Sequence, residues 1–175
     1  MKETNNLIEE FILEHRQTNE ATSNLQQTIN DLTGWKEMEA AREDFVPGRL
    51  QNQRQKLQKL EEPLGLLDRG LKAHFFREET LLLKAFESHG GQELASALNE
   101  LLLEHNELRR RLDSILGAAA ELLSGRLSES LWPSKAWDLR AYMSKTAESL
   151  AVHAQKEEAL FDKARRELSR EPEAG

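Results

Sequence analysis

A pattern of fifteen positions, L-x-x-H-x-x-x-E-E-x-L-x-x-K-A, occurs twice in this chain: as LKAHFFREETLLLKA from Leu71 to Ala85 and as LAVHAQKEEALFDKA from Leu150 to Ala164. Residues four apart share one face of a helix, so His74 stands beside Glu78 and His153 beside Glu157. Each pair is a two-ligand metal clip. Two further related segments, Ile12-Leu13-Glu14-His15 and Leu102-Leu103-Glu104-His105, each precede one of the clips. The chain therefore reads as two copies of a helical hairpin, each supplying one histidine and then a His-x-x-x-Glu, with a metal site between them.

Composition narrows the chemistry further. The 175 residues amount to one domain by the usual size prior and can bury a core without staples. Cysteine is absent, which removes disulfides, thiolate sites and iron–sulfur clusters and leaves His and carboxylate as the strong ligands. A net charge of −7 with both signs interspersed argues against a nucleic-acid partner. No apolar run approaches the roughly 18 residues of a membrane span, and Met1 to Glu20 lacks the layout of a signal peptide, so the expectation is a cytoplasmic protein without a membrane partner. Leu, Ala, Glu, Lys, Arg and Gln dominate, and these helix formers predict an all-α chain.

In chain order, the periodicity predicts a first helix from about Thr4 to Leu32, with a stripe of Ile8, Phe11, Ile12, His15, Leu25 and Ile29 made more polar by Thr18 and Thr22. Thr33-Gly34 marks its stop. Trp35 to Phe45 reads as a short extra helix or crossover, ended by Val46-Pro47-Gly48. The second helix, roughly Leu50 to Glu87, carries Leu60, Leu64, Leu67, Leu71, His74, Glu78, Leu81 and Ala85 on one stripe, with a kink or restart expected at Pro63. After Ser88-His89-Gly90-Gly91, a third helix from about Gln92 to Leu123 carries Leu94, Leu98, Leu101, His105, Leu108, Leu112, Ile115, Ala119 and Leu122. Ser124-Gly125 closes it, and Pro133 suits the first turn of the fourth. The fourth helix runs to about Leu168 with Leu139, Met143, Thr146, Leu150, His153, Glu157, Leu160, Ala164 and Leu168 on its stripe. An antiparallel four-helix bundle spanning residues 1–168, followed by a polar flexible tail at 169–175, is the economical architecture.

A histidine thus occupies the middle of every stripe, and in two helices a glutamate follows one turn later. Two ionised carboxylates at one level of a core would cost several kcal/mol each and repel one another unless cations neutralised them. Four imidazoles and two carboxylates form a nitrogen and oxygen set suited to iron or manganese, and less specifically to zinc. One buried histidine alone is more often a hydrogen-bonded core residue than a ligand. Four at the centres of four stripes, inside a repeated pattern, reverse that balance.

These residues, Glu14-His15, His74-Phe75-Phe76-Arg77-Glu78-Glu79, Glu104-His105 and His153-Ala154-Gln155-Lys156-Glu157-Glu158, resemble the haemerythrin-like proteins with an HHE cation-binding domain. The resemblance implies a four-helix bundle holding two iron ions without haem. Glu78 and Glu157 would bridge them, with His15 and His74 on one iron and His105 and His153 on the other. The family's oxygen carriers have one more histidine where Arg109 stands here, and a guanidinium stays protonated and ligates poorly. Positions left open favour reactivity, sensing or iron exchange over oxygen carriage as such.

Glu79 and Glu158 read as solvated helix flanks, because a fifth position rotates off the ligand face. Tyr142 lies about 16 Å along the helix from His153 and reads as a core tyrosine. Thr18 and Asn19 are candidates for polar support of the ligands, Phe75 and Phe76 for pocket walls, and His89 for a surface turn. The expected function is a di-iron protein that binds or senses oxygen or nitric oxide, or handles iron, with any regulatory protein partner separate. A di-iron enzyme activating oxygen or peroxide or oxidising ferrous iron, and a metal-free structural bundle, are the alternatives.

Overall fold

The computed structural model describes residues 2–31, 47–89 and 91–168, which are helical apart from turns at Leu103 and 124–131. The elements are α1 (Lys2–Asp31), α2 (Pro47–Arg77), a π-wound turn (Glu78–Leu82), α3 (Leu83–His89), α4 (Gly91–Leu102), α5 (Glu104–Leu123) and α6 (Trp132–Leu168). The all-α expectation holds. No helix among the described residues is long and apolar enough to cross a membrane. The expected crossover at 35–45 and the tail at 169–175 lie outside the described residues.

Two compact units make up the chain. The first comprises Met1–Glu20, Gly70–Arg109 and Ser149–Gly175. Within it α1 meets α2 through Glu14 and His74, the π turn meets α5 through Glu79 and His105, α5 meets α6 through Glu104 and His153, and α6 returns to α1 through Phe161 and His15. That circuit is a four-helix bundle. Its apolar filling is Ile8, Phe11, Leu82, Phe86, Leu94, Leu98, Leu102, Leu160, Phe161 and Ala164. Burying each large side chain contributes about 1.5–3 kcal/mol, and this packing, rather than helix propensity, holds the histidines at one level.

The second unit, Ala21–Arg69 and Arg110–Glu148, has its own core of Leu57, Leu60, Leu64, Ile115, Ala119, Leu122, Trp132, Ala136 and Leu139. Trp132 opens α6 and donates its indole N–H to the Leu122 carbonyl at 2.9 Å, so the indole is buried with its polar edge satisfied. Pro133 follows in the first turn, where a missing N–H costs nothing. Gly125, at φ 73°, takes the left-handed conformation that terminates α5. Helix α2 begins at Pro47, earlier than expected, and continues through Pro63 without a restart. Pro63 is on the exposed side, where water can satisfy the carbonyl that a proline leaves without its donor.

Two local departures reset the predicted stripes. The Leu83 N–H bonds to the Glu78 carbonyl, an i→i+5 link that widens the helix by one residue. Consequently Leu82 and Phe86 enter the core in place of Leu81 and Ala85; Leu81 is 51% exposed and Leu82 fully buried. The expected continuous third helix is interrupted at Leu103, and Leu102 is buried where Leu101 was expected to be. Below that break the stripe resumes at His105 as predicted. Leu82→Ala should cost about 2–5 kcal/mol, as a large-to-small core change does, whereas Leu81→Ala should stay within about 0.5 kcal/mol as a surface change. Denaturant unfolding of the two variants measures the register directly.

Candidate metal centre

All six residues predicted as ligands lie in the first unit, and all six are buried. α1 supplies His15, the end of α2 His74, the π turn Glu78, the start of α5 His105, and α6 both His153 and Glu157. The histidines pair as the repeat predicts: Nε2 of His15 is 3.1 Å from Nε2 of His74, and Nε2 of His105 is 2.9 Å from Nε2 of His153.

The two glutamates lie between these pairs. Glu78 turns Oε1 toward His15 and His74, at 3.4 and 3.2 Å, and Oε2 toward His105 at 3.4 Å. Glu157 turns Oε2 toward His15 at 3.2 Å, and Oε1 toward His153 and His105 at 3.0 and 3.5 Å. Each carboxylate thus offers one oxygen to each histidine pair. None of these four buried oxygens has a hydrogen-bond partner. Ligand atoms of His15, His74, Glu78 and Glu157 lie within 4.8 Å of one another, as do those of His105, His153 and Glu157, and either group could hold a metal ion.

The outer nitrogens explain why the inner ones converge. Nδ1 of His74 meets Glu14 at 2.8 Å, Nδ1 of His105 meets Glu79 at 3.0 Å, and Nδ1 of His153 meets Glu104 at 2.9 Å. A carboxylate only accepts, so each Nδ1 must carry the proton and donate it. In the neutral ring that leaves the Nε2 lone pair pointing into the cluster, the form a metal binds. Basic side chains hold the carboxylates in turn: Arg77 bonds Glu14, Lys156 bonds Glu104, and Arg109 grips Glu79 through both oxygens at 2.8 Å. Partial burial works against the charge on Glu14, Glu79 and Glu104, but these cations and the histidines hold each carboxyl below its ordinary range.

This outer layer corrects the reading of Glu79 as a solvated flank, whereas Glu158, 40% exposed, remains largely one. A fifth position rotates away from the bundle axis yet faces the seam with the next helix, where Glu79 finds His105 and Glu158 approaches His15 Nδ1 to 3.8 Å. The duplicated Glu-His and Glu-Glu steps were the signal for it, since each outer carboxylate adjoins a ligand in sequence. Asn19 is exposed, and His15 Nδ1 has no hydrogen bond from Thr18 or Asn19. Phe75 stacks on His105 with ring centroids 4.2 Å apart and walls the cluster, but Phe76 is 62% exposed and does not. Tyr142 is exposed in the second unit rather than in a core.

Burial disfavours the charged imidazolium of His15, but Glu157 and Glu78 outweigh it and lift the pKa to about 9. Burial likewise opposes charge on His74 and His153, and carboxylates led by Glu78 and Glu157 respectively still raise both. Burial would raise the Glu157 carboxyl, yet His105, His15 and His153 hold it well below the ordinary value. Protons on His15, His74 and His153 therefore help balance the buried negative charge when no other cation does so. The donor set fits a metal cation, because it concentrates buried negative charge, unpartnered oxygens and inward lone pairs at one point.

Fold and site together define a helical bundle with a buried His/Glu cluster at its core that could hold a metal ion. The chain belongs to the hemerythrin HHE cation binding domain family, whose model matches residues 6–164. Comparisons with curated proteins and with solved structures return no match.

A metal ion held here would compete with protons for the same Nε2 atoms. A raised histidine pKa stabilises the metal-free fold fully below about 6.5, the unfolded value, and that contribution is lost as pH rises through about 9 for His15. The thermal midpoint of the chelator-treated chain should fall between those values, while the stabilisation from added metal grows. Apparent metal affinity should rise about tenfold per pH unit for each proton displaced; titrations at three pH values across this window measure the slope.

Proposed function

We propose that the chain is a non-haem di-iron protein that binds oxygen or nitric oxide, or responds to iron, at a centre held by His15, His74, Glu78, His105, His153 and Glu157. The observation carrying this reading is the division of Glu78 and Glu157, each with one buried, hydrogen-bond-free oxygen directed to each histidine pair. His15 and His74 would hold one ion, His105 and His153 the other, and the two glutamates would span both. Iron suits this mixed nitrogen and oxygen set, manganese does so too, and zinc binds it less selectively.

Bound iron would supply redox chemistry and coordination positions for an exogenous ligand. This chain's residues perform the rest. Glu14, Glu79 and Glu104 fix the orientation of three imidazoles, and the rings of Phe75 and Phe161 stack on His105 and His15, keeping water from those faces. Apolar walls suit a small diatomic ligand better than a polar substrate. Arg109 is engaged with Glu79, and a guanidinium carries donors but no acceptor, so it adds no ligand.

Protein from iron-supplemented cells should contain about two irons per chain, with near-ultraviolet absorption that bleaches on anaerobic reduction and returns in air or shifts with nitric oxide. Glu78→Gln and Glu157→Gln should each lower the metal content and lose the metal's stabilisation, about 2.7 kcal/mol when metal stands a hundredfold above its dissociation constant. Retention of two irons by both variants would remove the bridging assignment.

A further inference from the structure

The repeat equates His15 with His105, and the residue one turn after each, Asn19 with Arg109. The surroundings of the two histidines do not follow that equivalence. His105 is fully buried, its Nδ1 is held by Glu79, and Glu79 is fixed by the two-pronged grip of Arg109. The Arg109 guanidinium also lies 5.5 Å from the centre of the Phe75 ring, which itself stacks on His105. The imidazole is thus held at its edge as well as its face, whereas His15 has the stacked Phe161 ring at its face but no such hold at its edge. At His15, Nδ1 has no hydrogen-bond partner, and the carboxylate that faces it, Glu158, stands 3.8 Å away and 40% exposed. Asn19 carries no charge with which to draw Glu158 inward. The other two ligand histidines are matched: His74 has Glu14 with Arg77, and His153 has Glu104 with Lys156.

Resting on the dinuclear reading, we propose that the two cation positions are unequal in retention, with Arg109 as a positioning residue that acts through Glu79 to make His105–His153 the tightly held one and His15–His74 the exchangeable one. A carboxylate on the outer nitrogen fixes the ring and raises the basicity of the ligating nitrogen, and losing such a partner costs about 10–100-fold in metal affinity. A partner that must first be drawn from solvent, with no cation among the described residues shown to hold it, delivers little of that. At limiting metal the chain holds one ion at His105–His153. The second position fills only at concentrations about 10–100-fold higher, so its occupancy follows metal availability.

Cobalt(II) is a suitable probe, being spectroscopically visible. The full chain, loaded with cobalt and challenged with excess chelator, should release two ions in two phases of equal amplitude whose rates differ about 10–100-fold. Arg109→Asn should accelerate the slow phase toward the fast one and leave the fast phase unchanged, and Arg109→Lys should restore part of the difference. Asn19→Arg should slow the fast phase. A purely structural role for Arg109 would move both phases together and would overturn the inference, as would release of two ions in a single phase from the unmodified chain. If Arg109→Asn does not fold, Asn19→Arg decides alone, and an unchanged fast phase overturns the inference. Failure of the unmodified chain to take up a second cobalt at any concentration would instead remove the dinuclear reading, and this inference with it.

Discussion

Two carboxylates buried side by side are the constraint on which the rest of the first unit depends. Glu78 and Glu157 are shielded from water and face histidine nitrogens at 3.0–3.5 Å, so their charge must be balanced from within. Four imidazoles surround them, outer carboxylates orient three of those imidazoles, and arginine or lysine side chains anchor the carboxylates toward solvent. Charge alternates outward from the centre. Each layer makes the next tolerable, and the innermost is left with lone pairs and oxygens aimed at a common point.

The backbone is adapted to this arrangement at two places. The π-wound turn begins at Glu78 itself, and the break at Leu103 comes directly before Glu104 and His105. Departures from regular winding cost hydrogen-bond geometry, and they persist where surrounding packing compensates. Here Leu82 and Phe86 on one side and Leu102 on the other are buried by the altered register. The site and the apolar core beneath it are thus parts of one packing solution, so a metal bound there would add to the stability of the fold.

The six central residues were legible in the sequence because helical periodicity reports which residues face a bundle axis, and a histidine or glutamate in an apolar stripe stands out against leucine. Family membership followed from the same residues. The outer carboxylates were less legible. Glu79 falls off the axial face by rotation alone, and only knowledge of which helix lies next to which turns that position from a solvated flank into a seam. Phe76 erred in the opposite sense, since an aromatic near a ligand in sequence need not share its face.

By itself, the sequence determined the all-α class, the repeated hairpin and the set of buried histidines and glutamates, because these depend on local spacing and on the cost of burying charge. Only the tertiary structure decided that Leu82 rather than Leu81 enters the core, that Arg109 serves Glu79 and that His15 lacks the support given to His105. Those outcomes depend on contacts between helices distant in sequence and on one widened turn. Periodicity along a single helix carries no information about either.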